Sequence, residues 1–362
     1  VRSATRRDVL GLRVRAQQLG RAAGALDDTA VLDIGVQDTG TDGARWALAL
    51  RGVEAPDEDA LTTVWTIRGA PHVYRRADLP GVAAATAPFS DADAGKRIFD
   101  ASRPLKAAGI PNLTGLDVVA DAMRSIVTGP MVKGEMSTRL TAVLDEPYLR
   151  FCVPCDATHT YEQPFRLSAL RAGLELQPGT SPPVLRPIPG FSPADAVPAR
   201  LDVVRGYLRL LGPATPQLVA GYLDAPVTDV RAHWPEDAVE VDVDGERRWL
   251  LEGDLDLLGD PPRGTSLLGP FDLFLQARDR SLLVADPVRA KDLWRTLGRP
   301  GGVLVEGEVA GTWRARKSGS AVGVEVSVWD GAGAATRRAV SEQAERLAGF
   351  RGLSLQAVDI GG

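Results

Sequence analysis

The sequence predicts an α+β fold, mainly helical with β-hairpins: three helical units that each end in a hairpin, and a β-rich part that closes the chain. Three observations carry this. Stretches with apolar residues at helical spacing give way three times to short β-rich, turn-interrupted segments, at 64–75, 148–162 and 239–251. A proline-rich segment at 177–195, with Pro178, Pro182, Pro183, Pro187, Pro189 and Pro193, separates the second unit from the third as an extended surface connector. Near the end, Val322, Val324, Val326 and Val328 alternate with Glu325 and Ser327, the period of a half-buried strand. The expected divisions are 1–87, 88–176, the connector 177–195, 196–258, and a β-rich part with a closing helix at 259–362.

In the first unit, Thr5-Arg6-Arg7-Asp8 is a capping box ahead of Val9, Leu10, Leu12, Val14 and Leu19. Short helices are expected at 22–26, 44–50 and 57–64, then a strand pair within 64–75. The second unit has helices at 93–108, 114–128 and 133–144, broken at Gly129-Pro130, and a hairpin from 148–152 and 157–162. In the third, helices at 200–211, 216–223 and 227–234 precede the hairpin 239–251, whose Asp244-Gly245 pair marks a type I′ turn. Helices followed by a hairpin are the plan of a winged helix. The last part carries FDLFLQARDR, alternating strands over 303–329 and a helix at 335–350.

At 362 residues, 44% hydrophobic and 25% charged, the chain has the make-up of a globular protein with a sizeable core. No stretch approaches the ~20 apolar residues of a membrane span, and the basic first residues are unlike a signal peptide. A cytoplasmic monomer without a cofactor is expected. The net charge of −5 gives no whole-chain case for nucleic-acid binding, but the charge is segregated. Six arginines lie between Arg2 and Arg21 against Asp8 alone, ten acids fall between Glu236 and Asp260, and Arg314 to Lys317 is basic again. One face suited to a polyanion fits this distribution.

The stretch 31–51 joins an apolar segment to a polar knot, Gln37-Asp38-Thr39 between Gly35 and Gly40, and then to a short helix capped by Thr41 or Asp42. Together with IRGAPHVYRRADLP (67–80), YLRLLGPATP (207–216), LLGPFDLFLQARDR (267–280) and VEGEVAGTWR (305–314), this stretch resembles the bacterial winged-helix DNA-binding family that includes the azinomycin-resistance DNA glycosylase, which unhooks alkylated bases and crosslinks. The resemblance spans nearly the whole chain. It implies three tandem winged helices and a β-rich part in a C-shaped, concave body that binds double-stranded DNA. Its glycosylase members carry Gln-x-Gln or Gln-x-Asp in this stretch. Matching on Arg51 places the first glutamine at Gln37 and the second at Thr39; matching on Asp-Thr makes Asp38 the acid and puts Val36 where glutamine belongs.

An N-glycosidic bond hydrolyses through an oxocarbenium-like centre, so a polar group must place water and offset positive charge. Gln37, Asp38 and Thr39 are the candidates for this work. On a strand, however, Gln37 and Thr39 would face one side and Asp38 the other. Arg51, Arg68, His72, Arg75, Arg76, Arg314, Arg316 and Lys317 are the candidate DNA contacts, the last three at a hairpin tip able to enter a groove. Asp272, Arg278, Asp279 and Arg280 read as a structural ion-pair network. Cys152 and Cys155 with His159, and Glu162 within reach, have zinc-like spacing, but buried cysteines on a hairpin strand are the plainer expectation and no metal is assigned. A non-catalytic DNA-binding regulator is the alternative function. No phosphate-binding glycine loop or Ser–His–acid order is present.

Overall fold

The computed structural model describes residues 1–40 and 42–361. Thr41, one of two expected helix caps, lies outside them. The fold is mixed α/β, with four sheets among the described residues. Among the described residues no helix is long and apolar enough to cross a membrane.

Strand β1 (Arg2–Ala4) runs parallel to a distant hairpin strand, with Ser3 opposite Asp242. Helix α1 (Arg6–Ala16) starts with the expected box: the Thr5 hydroxyl accepts from the Asp8 N–H at 3.2 Å, and the Asp8 carboxylate accepts from the Thr5 N–H at 2.8 Å. Residues 22–26 are irregular rather than helical. Three alanines and Gly24 there offer no apolar stripe to dock. Then come β2 (Val36–Gln37) and α2 (Gly43–Ala49), in which Asp42 stands at the cap position without a side-chain bond to the helix. The helix expected over 57–64 is one 3-10 turn followed by β3 (Leu61–Trp65), where Thr62, Thr63 and Val64 favour the extended backbone. β4 (Pro71–Arg75) pairs with it, Thr63 opposite Val73.

Helix α3 (Leu79–Thr86), not expected from the sequence, leads into a helical stretch: α4 (Asp91–Arg97) and α5 (Ser102–Ala107) in place of the single helix expected at 93–108, α6 (Asn112–Ile126), then β5 (Met131–Val132) and α7 (Lys133–Val143). Its hairpin is β6 (Leu149–Cys152) and β7 (Ala157–Thr160), and α8 (Glu162–Ala169) follows. Strands β8 (Leu174–Leu176) and β9 (Val184–Pro187) come next. β9 falls within the segment expected to be a plain connector; its prolines flank or end the strand, where a missing N–H costs little. The six-stranded sheet runs β2-β4-β3-β8-β9-β5, so the first strand pair is no free wing but the interior of a shared sheet. Every residue of β3 is buried.

The third unit has α9 (Val203–Leu211), α10 (Pro216–Leu223), α11 (Val227–Ala232) and the hairpin β10 (Ala238–Val243) and β11 (Glu246–Leu251). Its turn residues Asp244 and Gly245 have φ 49° and 88°, the two left-handed positions of a type I′ turn. Beyond it lie β12 (Thr265–Leu268), α12 (Arg280–Leu283), α13 (Pro287–Leu293), β13 (Gly301–Val305), β14 (Glu308–Ser318), β15 (Ala321–Val328), α14 (Ala334–Phe350) and β16 (Ser354–Gly361). Strands β12 to β16 form a five-stranded sheet in sequence order. Val322, Val324, Val326 and Val328 are buried and Glu325 and Ser327 exposed, as the alternation requires. One core joins α1, α2, α9 and this sheet; a second, around Ile98, Leu116, Met123, Leu140 and Phe165, also takes in Trp65 of β3 and Leu185 of β9.

Candidate active site and nucleic-acid interface

Gln37 ends β2 opposite His72 of β4, and the chain then leaves the sheet. Its amide oxygen accepts from the Gln276 amide at 3.1 Å, and its amide nitrogen donates to the Thr39 hydroxyl at 3.1 Å. Gln37 and Thr39 thus share one side. Asp38 faces the other, where its carboxylate accepts from the Ala44 N–H at 3.1 Å and steadies the first turn of α2. Burial holds the Asp38 carboxyl above its ordinary range despite that bond. Of the polar triplet, then, two residues face the relay to Gln276, and Asp38 serves the helix.

Gln276 is held from below. The segment 271–280 is fastened at both ends by ion pairs with buried partners: Asp272 to Arg51 at 2.8 Å, and Asp279 to Arg13 at 2.7 Å. Arg248 adds a second cation on Asp279. Breaking such a pair strands a buried charge, so both ends are fixed. The intervening stretch presents Gln276, whose amide also donates to the Phe271 carbonyl at 3.2 Å, while its oxygen accepts from Arg68 at 3.2 Å. The relay therefore reads Arg68, Gln276, Gln37, Thr39.

Only the acids of FDLFLQARDR behave as the expected ion-pair network. Its arginines do not. Arg278, Arg280 and Arg299 gather near Arg68, and none of the four has a carboxylate within ion-pair distance among the described residues. Aromatic rings hold three of them: Arg68 lies 4.8 Å from the Tyr222 ring centre, Arg280 5.1 Å from Trp294, and Arg299 4.5 Å from Phe271. A ring face orients a guanidinium without neutralising it. The buried Arg278 Nε has no hydrogen-bond partner among the described residues. Burial first, and then the charge of neighbouring arginines, sets Arg278, Arg280 and Arg299 below the ordinary guanidinium range, although all stay charged. Asp224 offsets part of the Arg278 charge from beyond ion-pair distance, and cations held beside one another without a paired carboxylate have the chemistry of a seat for an anion.

A cleft of about 1460 Å³ opens beside this cluster, with Thr39 and Arg299 in its wall together with Arg314, Arg316 and Lys317 of β14. Acids in the same wall are matched: Asp42 to Arg351 at 2.5 Å, Glu54 to Arg346 at 3.0 Å and Glu58 to Arg45 at 2.8 Å. Arg316 meets Glu325 at 3.2 Å, whereas among the described residues Arg314 bonds only the Gly298 carbonyl, at 2.8 Å. A smaller cavity of about 360 Å³, floored by Trp65, Ala83 and Leu170, is flanked by Arg97, Arg124 and Arg171. Those three arginines all pair with acids, at 2.6 Å each, which leaves that cavity without free charge.

Several expected DNA contacts are instead engaged within the fold, by burial or by ion pairing. Arg51 has no exposed surface and also donates to the Gln17 and Ala47 carbonyls, at 2.9 and 2.7 Å. Arg75 is buried against Asp33 at 2.7 Å, whereas Arg76 is half-buried and pairs with Glu175 at 2.9 Å. His72 is enclosed, with Nδ1 3.0 Å from the Ala70 carbonyl oxygen and 3.1 Å from the Thr66 hydroxyl. Burial, then the charge of Arg68, pushes its pKa down to about 3, so it is a neutral hydrogen-bonding residue. Arg68, Arg314, Arg316 and Lys317 remain at or beside the cleft. Gln276 and Arg299 were not singled out in the sequence, and Arg278 and Arg280 were read there as structural; FDLFLQARDR, with two arginines and two aspartates, carries no local charge signal that would have marked them. The cysteines are not buried either: Cys155 is exposed and Cys152 half-buried.

Comparison with known proteins gives three results. No curated protein matches the sequence. The solved structure of Streptomyces sahachiroi DNA glycosylase AlkZ superposes with a TM-score of 0.74, covering 99% of this chain and 100% of that one at 22% identity, a likeness of fold. The family model described as DNA glycosylase AlkZ-like matches residues 13–350, nearly the whole sequence, and on that match the chain belongs to the AlkZ-like DNA glycosylase family.

Proposed function

We propose that this protein is a DNA glycosylase that hydrolyses the N-glycosidic bond of alkylated purines or crosslinks in double-stranded DNA, acting as a cytoplasmic monomer. The observation that carries the reading is the position of Gln37: its amide is fixed by Gln276, which Arg68 also holds, and by Thr39, which lines a wide basic cleft together with Arg299. Helices followed by the hairpins β6–β7 and β10–β11 support a winged-helix plan for the second and third units. A C-shaped body with the cleft on its concave side accords with the basic residues of β14.

In this mechanism Arg68, Arg278, Arg280 and Arg299 hold phosphates that flank the damaged nucleotide, the positioning share of binding. Gln37 keeps one lone pair and one N–H beyond its two protein bonds, enough to orient a water molecule against the anomeric carbon. Water adds as the bond to the purine breaks, and its proton passes to solvent. The alkylated purine is cationic and leaves as a neutral base, so no general acid is required and the placement of Asp38 in the helix start costs nothing. A second reading, a binder of alkylated DNA that does not cut, is favoured by Thr39 in place of a second amide. Single-turnover release of N7-methylguanine from duplex DNA separates the two: release that falls in Gln37→Ala while binding holds supports the glycosylase, and tight binding without release supports the binder.

A further inference from the structure

We propose that Cys152, Cys155 and His159 bind one transition-metal ion of the zinc type at the tip of the β6–β7 hairpin. The two sulfurs and an imidazole nitrogen lie within 4.8 Å of one another, so one ion at Zn–S and Zn–N distances of ~2.3 and ~2.0 Å sits between them after small side-chain movements. The backbone builds this arrangement from local rules. Cys152 ends β6, Val153–Cys155 makes a 3-10 turn around Pro154, and Asp156 takes the left-handed φ of 48° that reverses the chain. The second thiol is thereby brought back beside the first. In the β6–β7 register, Cys152 faces Ala157 and Arg150 faces His159, so His159 stands one step along the same face as Cys152.

The tautomer suits a metal. Nδ1 of His159 lies 2.9 Å from the Thr160 carbonyl oxygen, which fixes the proton there and leaves the Nε2 lone pair for a ligand bond. Glu162, within reach on sequence grounds, is engaged elsewhere, by Lys133 at 2.7 Å and Arg166 at 2.6 Å. The fourth position is therefore left to water or an incoming ligand. The hairpin also needs a staple. It pairs two strands of four residues each, and its Phe151 and Val153 are 61% and 80% exposed. A two-stranded hairpin with so little packing is marginal in water, and a metal closing its tip orders it. A disulfide would join the same thiols but would not use the imidazole.

The test uses the full chain kept reduced. Elemental analysis is expected to give one zinc per chain. Cobalt(II) added to chelator-stripped protein is expected to show thiolate-to-cobalt charge transfer and the d–d bands of a four-coordinate site. Cys155→Ser, at the hairpin surface, and His159→Ala, half-buried there, are expected to keep the wild-type circular dichroism and to weaken cobalt binding by more than about tenfold. Reduced wild type that takes up neither metal, or variants that titrate like wild type, would overturn the proposal. These readouts do not depend on base excision, so the metal site and the glycosylase reading stand or fall separately.

Discussion

Replacing Arg51 with methionine decides whether this side chain is a DNA contact, as its place in the sequence suggests, or a structural pin. In the structure its guanidinium makes two bonds to Asp272 at 2.8 and 3.0 Å, and both side chains have no exposed surface. Methionine fills similar space but leaves Asp272 charged, buried and half-satisfied, since only the Phe274 N–H at 3.0 Å still reaches it. Breaking a buried pair from one side costs about 3–5 kcal/mol. With an unfolding entropy of ~2.1 cal/mol/K per residue over 362 residues, that is a fall in Tm of about 4–7 °C if the chain melts as one unit. Differential scanning calorimetry reads the shift, and adding Asp272→Asn, which removes the stranded charge, should recover part of it. Fluorescence titration with duplex DNA at several salt concentrations reads the other half: the folded variant should keep the wild-type salt slope. A Tm within about 1 °C of wild type, with the salt slope reduced by ~0.9, would show that Arg51 touches phosphate and would refute the buried-pin account.

Further outcomes follow from the same geometry. Arg280→Ala and Arg299→Ala should each weaken duplex binding uniformly across sequences and lower the salt slope by about 1. Arg278→Met should weaken binding and yet raise Tm, because it removes a half-buried cation with an unbonded Nε. His72, with its pKa pushed down to about 3, is neutral in the fold but protonates near 6.5 when unfolded. Its contribution to stability is full above pH 6.5 and is lost as pH falls toward 3, at about 1.4 kcal/mol per pH unit. His72→Asn should flatten that part of the profile in urea melts taken from pH 7 to 4.

Much of the fold could be read from local pattern because local chemistry decides it. The Thr5–Asp8 box, the Asp244-Gly245 turn and the alternating valines of β15 each satisfy their neighbours within a few residues. The shared sheet could not be read this way. Thr63 pairs with Leu176 and Met131 with Leu185, and such long-range partners leave no periodic trace. The same limit governs the site. Gln37 and Thr39 were legible as a polar knot between glycines, and the period of a strand already separated them from Asp38. Gln276 lies 239 residues from Gln37, and nothing local marks it. Arginine was the most misleading residue type. Arg51 and Arg278 look equally basic in sequence, but one meets a buried carboxylate and the other an open cluster, a difference fixed only when Asp272 and Asp279 turn inward.

The central claim is that Gln37 stands where this protein hydrolyses a glycosidic bond. Single-turnover release of an N-alkylated purine from duplex DNA, with protein in excess, tests it most directly. Wild type should release the base, and Gln37→Ala should slow release by about 100-fold or more while its duplex affinity stays near that of wild type. Base release unchanged in Gln37→Ala, or none from wild type on DNA that it binds, would contradict the account.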